Sequence, residues 1–206
     1  MPTKTDLHTF LRTRRSIRRF KPDAVPDSVL TEILHTATFA PSAHNRQPWR
    51  FAVVTDSSVK NDLAETMTNE FQRELEADHL PPDKISKRVT RSRERILSTP
   101  VIIILSVDMS EMDTYPDRRR KKIEYVMATQ STANAGMQLL LAAHAEGLGG
   151  VWVCSPLFAQ ETVQSALNLP KTWEPQAMFL LGYPNESPKQ RERKALEQFV
   201  MKDGKR

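Results

Sequence analysis

Four short stretches concentrate the side chains whose type and spacing suit chemistry. In the first, RTRRSIRRF over residues 12–20, Arg14, Arg15, Ser16 and Arg18 fall within five positions. An extended backbone alternates its side chains, which predicts Arg14, Ser16 and Arg18 on one side and Ile17 on the other. Guanidinium forks beside a hydroxyl suit a phosphate monoester or a similar anion. A solvated basic strand edge suits the same residues. The second stretch, APSAHNRQPW over residues 40–49, is stiffened by Pro41 and Pro48. Its Pro41-Ser42-Ala43 start and the polar run His44, Asn45, Arg46 and Gln47 would serve a planar ligand with many acceptors. The competing reading is a turn in which Ser42 and Asn45 satisfy their own backbone.

The third stretch, GLGGVWVCSP over residues 147–156, holds three of the chain's six glycines, so the backbone there needs special torsions or close approach. A strand through Trp152 and Val153 to Cys154 is followed by Ser155-Pro156, a pattern that opens helices. The free N–H groups of such a start can face an acceptor atom. Trp152 fits a flat pocket and a core equally well. Cys154 has no basic partner nearby in sequence and reads as a buried, inert thiol rather than a nucleophile. In the fourth stretch, SPKQRERKALEQFV over residues 187–200, Lys189, Arg191 and Arg193 alternate. They would either complete an anion site with Arg14 and Arg18 or form a solvated tail.

Several chemistries are set aside by what is missing. No G-x-G-x-x-G follows a strand and no G-x-x-x-x-G-K-[ST] occurs, which argues against a Rossmann dinucleotide site and a P-loop. No G-x-S-x-G appears. The histidines, including His35, His44, His79 and His144, lack metal-ligand spacing. His144 falls on an apolar helix face and reads as a hydrogen-bonded core residue. A single cysteine excludes an internal disulfide framework.

The elements that must position these residues are legible in outline. A length of 206 residues with 39% hydrophobic composition fits one domain, residues 1–206, with a sizeable core. The longest apolar run, residues 101–105 continuing to 107, is far below the roughly 20 residues of a bilayer helix. No signal-peptide pattern opens the chain, so a cytoplasmic protein without a membrane partner is expected. Basic clusters at residues 12–21, 84–95, 118–122 and 189–194 raise nucleic-acid binding as a rival reading. Interspersed acidic residues favour solvated helix faces for the middle two.

Helices are expected over residues 5–13, from Asp27 or Ser28 as cap through Ala37, over 59–75 with a stripe of Val59, Leu63, Met67, Phe71 and Leu75, over 83–97, over 122–146, and from Ser155 to Leu167. In the helix over 122–146, Val126, Met127, Met137, Leu140, Leu141 and His144 are expected to share one side. Strands are expected over 50–54, 101–107, 151–154 and 177–183. Residues 184–206 form a polar tail with one apolar patch, Leu196, Phe199 and Val200, suited to wrapping a second subunit. The combination is an α+β layered fold.

Taken together, RRSIRRF, APSAHNRQPWRFAVV, LLLAAHAEGLGGVWV and a P-K-x-R tail resemble the nitroreductase family of flavin mononucleotide enzymes. Segments such as DMSEMDTYPDRRR are similar to the flavin domain fused to the glutamyl ligase of deazaflavin coenzyme biosynthesis, here without the ligase. The resemblance implies a mixed, mainly antiparallel sheet of four to five strands flanked by helices, in a domain-swapped homodimer with FMN at the interface. It implies that Arg14, Arg15, Ser16 and Arg18 hold the flavin phosphate and ribityl chain, with Arg18 at the N1–O2 edge. Pro41, Ser42, Ala43 and Asn45 would reach the flavin from the other subunit. Trp152, Val153, Cys154 and Ser155 would lie near N5, with a backbone amide of Cys154 or Ser155 facing that atom. Lys189, Arg191 or Arg193 would finish the phosphate cage. The implied activity is ping-pong oxidation of NADH or NADPH, a transient donor, with a quinone, a nitroaromatic or a related small molecule as acceptor. A reduced deazaflavin is the other donor the resemblance implies for this activity. Two alternatives are a reductase for a deazaflavin coenzyme precursor and a non-catalytic flavin- or nucleic-acid-binding protein.

Overall fold

The computed structural model describes residues 2–188 and 191–204. Lys189 therefore lies outside the described residues. At the centre is β2 (Val101–Asp108), the unbroken apolar run, buried at every position. It pairs antiparallel with β1 (Trp49–Val54) on one side and β4 (Trp173–Gly182) on the other, and β4 pairs antiparallel with β3 (Gly149–Val153). The sheet order is β1-β2-β4-β3, four strands, with β3 at an edge.

A strand without polar alternation needs cover on both faces. Val101, Ile103 and Leu105 of β2 and Ala177, Phe179 and Leu181 of β4 face one layer of helices. That layer is α2 (Asp27–Ala37) and α5 (Arg118–Ala145). Ile102, Ile104, Met178 and Leu180 face the opposite layer. There α3 (Ser57–Ala77) supplies Leu63, Ala64 and Met67, α4 (Pro82–Leu97) supplies Ile96, and α6 (Gln160–Ala166) supplies Val163. The short α1 (Lys4–Thr13) buries no residue and is held by a capping box between Thr3 and Asp6.

Local chemistry sets most boundaries. Asp56 caps α3 by accepting from the N–H groups of Ser58 and Val59, and Asp117 caps α5 by accepting from that of Arg120. The cap at Asp117 starts α5 four residues before the expected 122. Helix α2 begins at Asp27 itself, after Pro26, with no side-chain cap; neither Asp27 nor Ser28 serves as one.

Two expectations are corrected. Val126 and Met137 are exposed on α5, whose buried side is instead small: Ala128, Ser131, Thr132, Ala135 and Gly136 with Leu139 and Leu140. Small residues let the helix lie close to the sheet, and at Gly136 an added Cβ would stand 2.6 Å from Trp152 Cζ3 and 2.8 Å from Phe179 Cζ. The chain after β3 is also no single helix: Ser155–Phe158 is a 3-10 turn and α6 starts only at Gln160. Ser155 caps nothing: the turn opens after Cys154 with no side-chain cap.

Candidate functional site

The outer edge of β3 is covered by the arginine segment. Ser16 forms an isolated parallel bridge with Gly150, and the Ile17 N–H donates to the Gly150 carbonyl at 3.1 Å. Ile17 fills the space over Gly149, where a Cβ would come within 2.7 Å of it. The segment then leaves β3 and meets the chain beyond β4: Phe20 bridges Pro184, the Lys21 N–H donates to Tyr183, and the Asn185 N–H donates to Arg19. One further contact joins the two stretches. The Glu186 carboxylate accepts from the backbone N–H groups of Arg18 at 2.5 Å and Arg19 at 3.2 Å. The first motif and the root of the tail are thus one structural unit.

Because this segment is bridged rather than paired as a strand, its side chains do not alternate as expected. Arg14 and Arg15 line a cavity of about 480 Å³ together with His144, Gly149, Gly150 and Glu186. Arg14 is half-buried; burial, then the charges of Arg15 and Arg193, disfavour its charged form and lower its pKa. A guanidinium does not give up its proton under physiological conditions, so such crowding is relieved by an anion. The charge of Arg193 in the tail is felt at Arg14. His144 belongs to this cavity and not to the sealed core. Its ring stacks on Phe10 at 4.9 Å and its Nε2 lies 3.2 Å from the Thr13 hydroxyl. Burial, followed by Arg14 and Arg15, pushes its pKa down.

Arg18 belongs to a different neighbourhood. It is exposed, and its charge acts on Arg95 of α4, whose pKa is lowered by burial first, then by Arg91 and Arg18. Arg88, Arg91 and Arg95 line a second cavity, of about 590 Å³, between α3, α4 and the end of β3. The basic run over residues 84–95 is therefore not merely a solvated face. The signal was available: spacings of three and four put these arginines on one helical side, next to the apolar positions Ile85 and Ile96. The run over 118–122 is solvated, as expected.

Val153, Cys154 and Ser155 line the second cavity. Cys154 is exposed, which corrects the expectation of a buried thiol. Trp152 points to the other face of the sheet, edge-on to Phe179 with centroids 4.9 Å apart, and is a core residue. The loop carrying Pro41, Ser42, Ala43 and Asn45 lines neither of these cavities. It is tied to α5 instead: the Ala43 N–H donates to Ser131 Oγ, and Asn134 Nδ2 donates to the Pro41 carbonyl. His44, Asn45 and Gln47 all have left-handed φ, at 50°, 54° and 50°. Such torsions store strain and recur at binding segments. Arg191 is exposed.

Among the described residues no group of three His, Cys, Asp or Glu side chains is placed to hold a metal, and no helix is long and apolar enough to cross a membrane. The sequence profile of the nitroreductase family matches residues 11–183.

The chain belongs to the nitroreductase family.

Two relatives and one solved structure agree with this. A Bacillus subtilis protein named as an NAD(P)H nitroreductase is 28% identical over 189 residues, covering 91% of this chain and 89% of its own. A Rhodospirillum rubrum 5,6-dimethylbenzimidazole synthase is 30% identical over 185 residues, covering 87% and 82%. The crystal structure of a Desulfovibrio desulfuricans nitroreductase in complex with FMN superposes with a TM-score of 0.75, at 27% identity and 98% coverage of both chains. The mixed α+β architecture with its antiparallel sheet is the nitroreductase fold.

Proposed function

We infer that this nitroreductase-family chain is an FMN-dependent oxidoreductase that oxidises NADH or NADPH and reduces a quinone, a nitroaromatic or a related acceptor. The observation that carries the reading is the crowding of positive charge around one cavity beside β3, lined by Arg14 and Arg15 and reached by the charge of Arg193. Arg18 lines neither cavity, but its charge acts on Arg95, which lines the second. A phosphorylated planar ring has an anion at one end and an electron-accepting face at the other, and this donor set fits it. Glu186 already shows that the segment accepts an anion, since its carboxylate sits on two consecutive backbone N–H groups.

In this reading Arg14, Arg15, Ser16 and Arg193 bind the phosphate and ribityl chain, and the alternating charges of the tail sequence make Lys189 and Arg191 further candidates. Arg18 and Arg95 hold the N1–O2 edge, where a cation favours the reduced, anionic ring. The backbone of Cys154 or Ser155 would face N5 of a bound flavin, and Val153 would close the apolar side. Bound FMN supplies the two-electron carrier. Overall, NAD(P)H and one solvent proton convert a quinone to its hydroquinone. Donor and acceptor take turns in the second cavity, which gives ping-pong kinetics.

The remaining contacts come from a second copy. The exposed stripe of α5, with Ile123, Val126 and Met137, lies on the helix that carries the strained loop 41–47. A homodimer covers that stripe and brings Pro41, Ser42, Ala43 and Asn45 to the partner's flavin. The tail beyond 184, with Leu196 and Phe199 exposed on the single chain, wraps the same partner. The test is an absorbance spectrum of purified protein before and after anaerobic NADPH. A flavin spectrum that bleaches supports the reading; a colourless protein that takes up no added FMN overturns it.

A further inference from the structure

The cavity between α3, α4 and the end of β3 holds more positive charge than one flavin edge requires. Arg88, Arg91 and Arg95 line it from one helical face. Seven residues of helix separate the first and last by about 10 Å. Arg95 is the one beside Arg18. Arg91 and Arg88 stand one and two turns further along. None of the three forms an ion pair among the described residues. Of the two carboxylates on the facing wall, Glu70 is engaged by Arg73, which leaves Glu74. The rest of the lining is largely apolar, with Met67, Phe71, Ile96, Val153 and Met178, and Phe158 exposes 73% of its surface there.

We propose that the acceptor taken at this site is an aromatic acid: a flat ring bearing a carboxylate or similar oxyanion, held by Arg88 and Arg91. The ring removes apolar surface from water against Phe71 and Phe158. The anion adds an opposite charge to its hydrogen bonds from the guanidinium groups, an ion pair that a neutral quinone or nitroarene of the same shape cannot form. Two guanidinium groups spaced by one turn favour a planar oxyanion over a point contact. This rests on the flavin reading and adds the charge of the acceptor to it.

The test is calorimetric binding of 2-naphthoate against its neutral counterpart 2-naphthamide, on the protein as purified. The acid is expected to bind at least about tenfold more tightly, the scale of one charge-assisted contact. In Arg88→Gln/Arg91→Gln the preference is expected to collapse to within about twofold, while Arg118→Gln/Arg119→Gln on α5 keeps it. If the double variant fails to fold, Arg88→Gln alone, at an exposed position, carries the comparison. Equal affinities in the wild type, or an unchanged preference in the Arg88 variants, overturn the proposal. Failure of the flavin reading shows separately, as a sample without FMN, and the heat of naphthoate binding still decides this one.

Discussion

The Glu186 carboxylate spans the backbone N–H groups of Arg18 and Arg19, joining the root of the tail to the segment whose Arg14 and Arg15 line the first cavity. Among the described residues no other side-chain hydrogen bond ties Arg18 or Arg19 to the chain beyond β4. Hydrogen bonds to a charged acceptor contribute roughly 1.5–3 kcal/mol, less where water competes. Glu186→Ala is therefore expected to weaken FMN binding about tenfold, as read by quenching of flavin fluorescence. Glu186→Gln keeps an acceptor oxygen and is expected to lie nearer the wild type. Identical FMN affinity in all three proteins would remove Glu186 from the account.

His144 makes stability depend on pH in a stated direction. Burial, then Arg14 and Arg15, lower its folded-state pKa below the ordinary value of about 6.5. A folded pKa below the unfolded one means that the unfolded chain binds the extra proton more readily. The associated stability is present above about 6.5 and is lost as pH falls through the lowered folded value. Urea unfolding of the flavin-free protein across that window is expected to show the loss, and His144→Gln to reduce it. A wild type whose slope matches that of His144→Gln would contradict this.

Gly136 is a packing requirement, not a turn. Helix propensity alone would make Gly136→Ala stabilising by about 1 kcal/mol. The new Cβ would meet Trp152, Phe179 and Leu105 at 2.6–2.9 Å, all in the core. Overpacking of that kind costs about 1–3 kcal/mol. The net expectation is destabilisation by chemical denaturation, with Gly136→Val worse than Gly136→Ala. A more stable Gly136→Ala would show that α5 can move off the sheet freely.

The exposed stripe of α5 gives the dimer its test. Val126 and Met137 are 43% and 44% exposed in the single chain. Val126→Asp/Met137→Asp is expected to sediment as a monomer and to lose FMN, because the loop of residues 41–47 then has no partner site. A wild-type monomer that binds FMN fully would overturn the shared site.

The sequence carried the layered architecture because its strongest signals were local. Residues 101–107 read as a strand buried on both faces, whereas the side-chain caps at Asp56 and Asp117 emerge only in the structure, and the second of them starts α5 four residues earlier than apolar spacing suggests. The geometry of the arginine segment was not legible, since alternation assumes strand pairing and only the isolated bridges at Ser16 and Phe20 form. Trp152 and Cys154 were read ambiguously or wrongly because β3 ends at Val153, a boundary set by pairing with β4. The spacing of Arg88, Arg91 and Arg95 puts them on one side of α4, but only the packing of α4 against α3 makes that side a cavity wall instead of a solvated face.

The most direct measurement is the FMN content of wild-type protein and of Arg14→Ala/Arg18→Ala after reconstitution and gel filtration. The account expects one FMN per chain in the wild type and none retained by the double variant, with both proteins folded. A double variant that keeps stoichiometric FMN would contradict it.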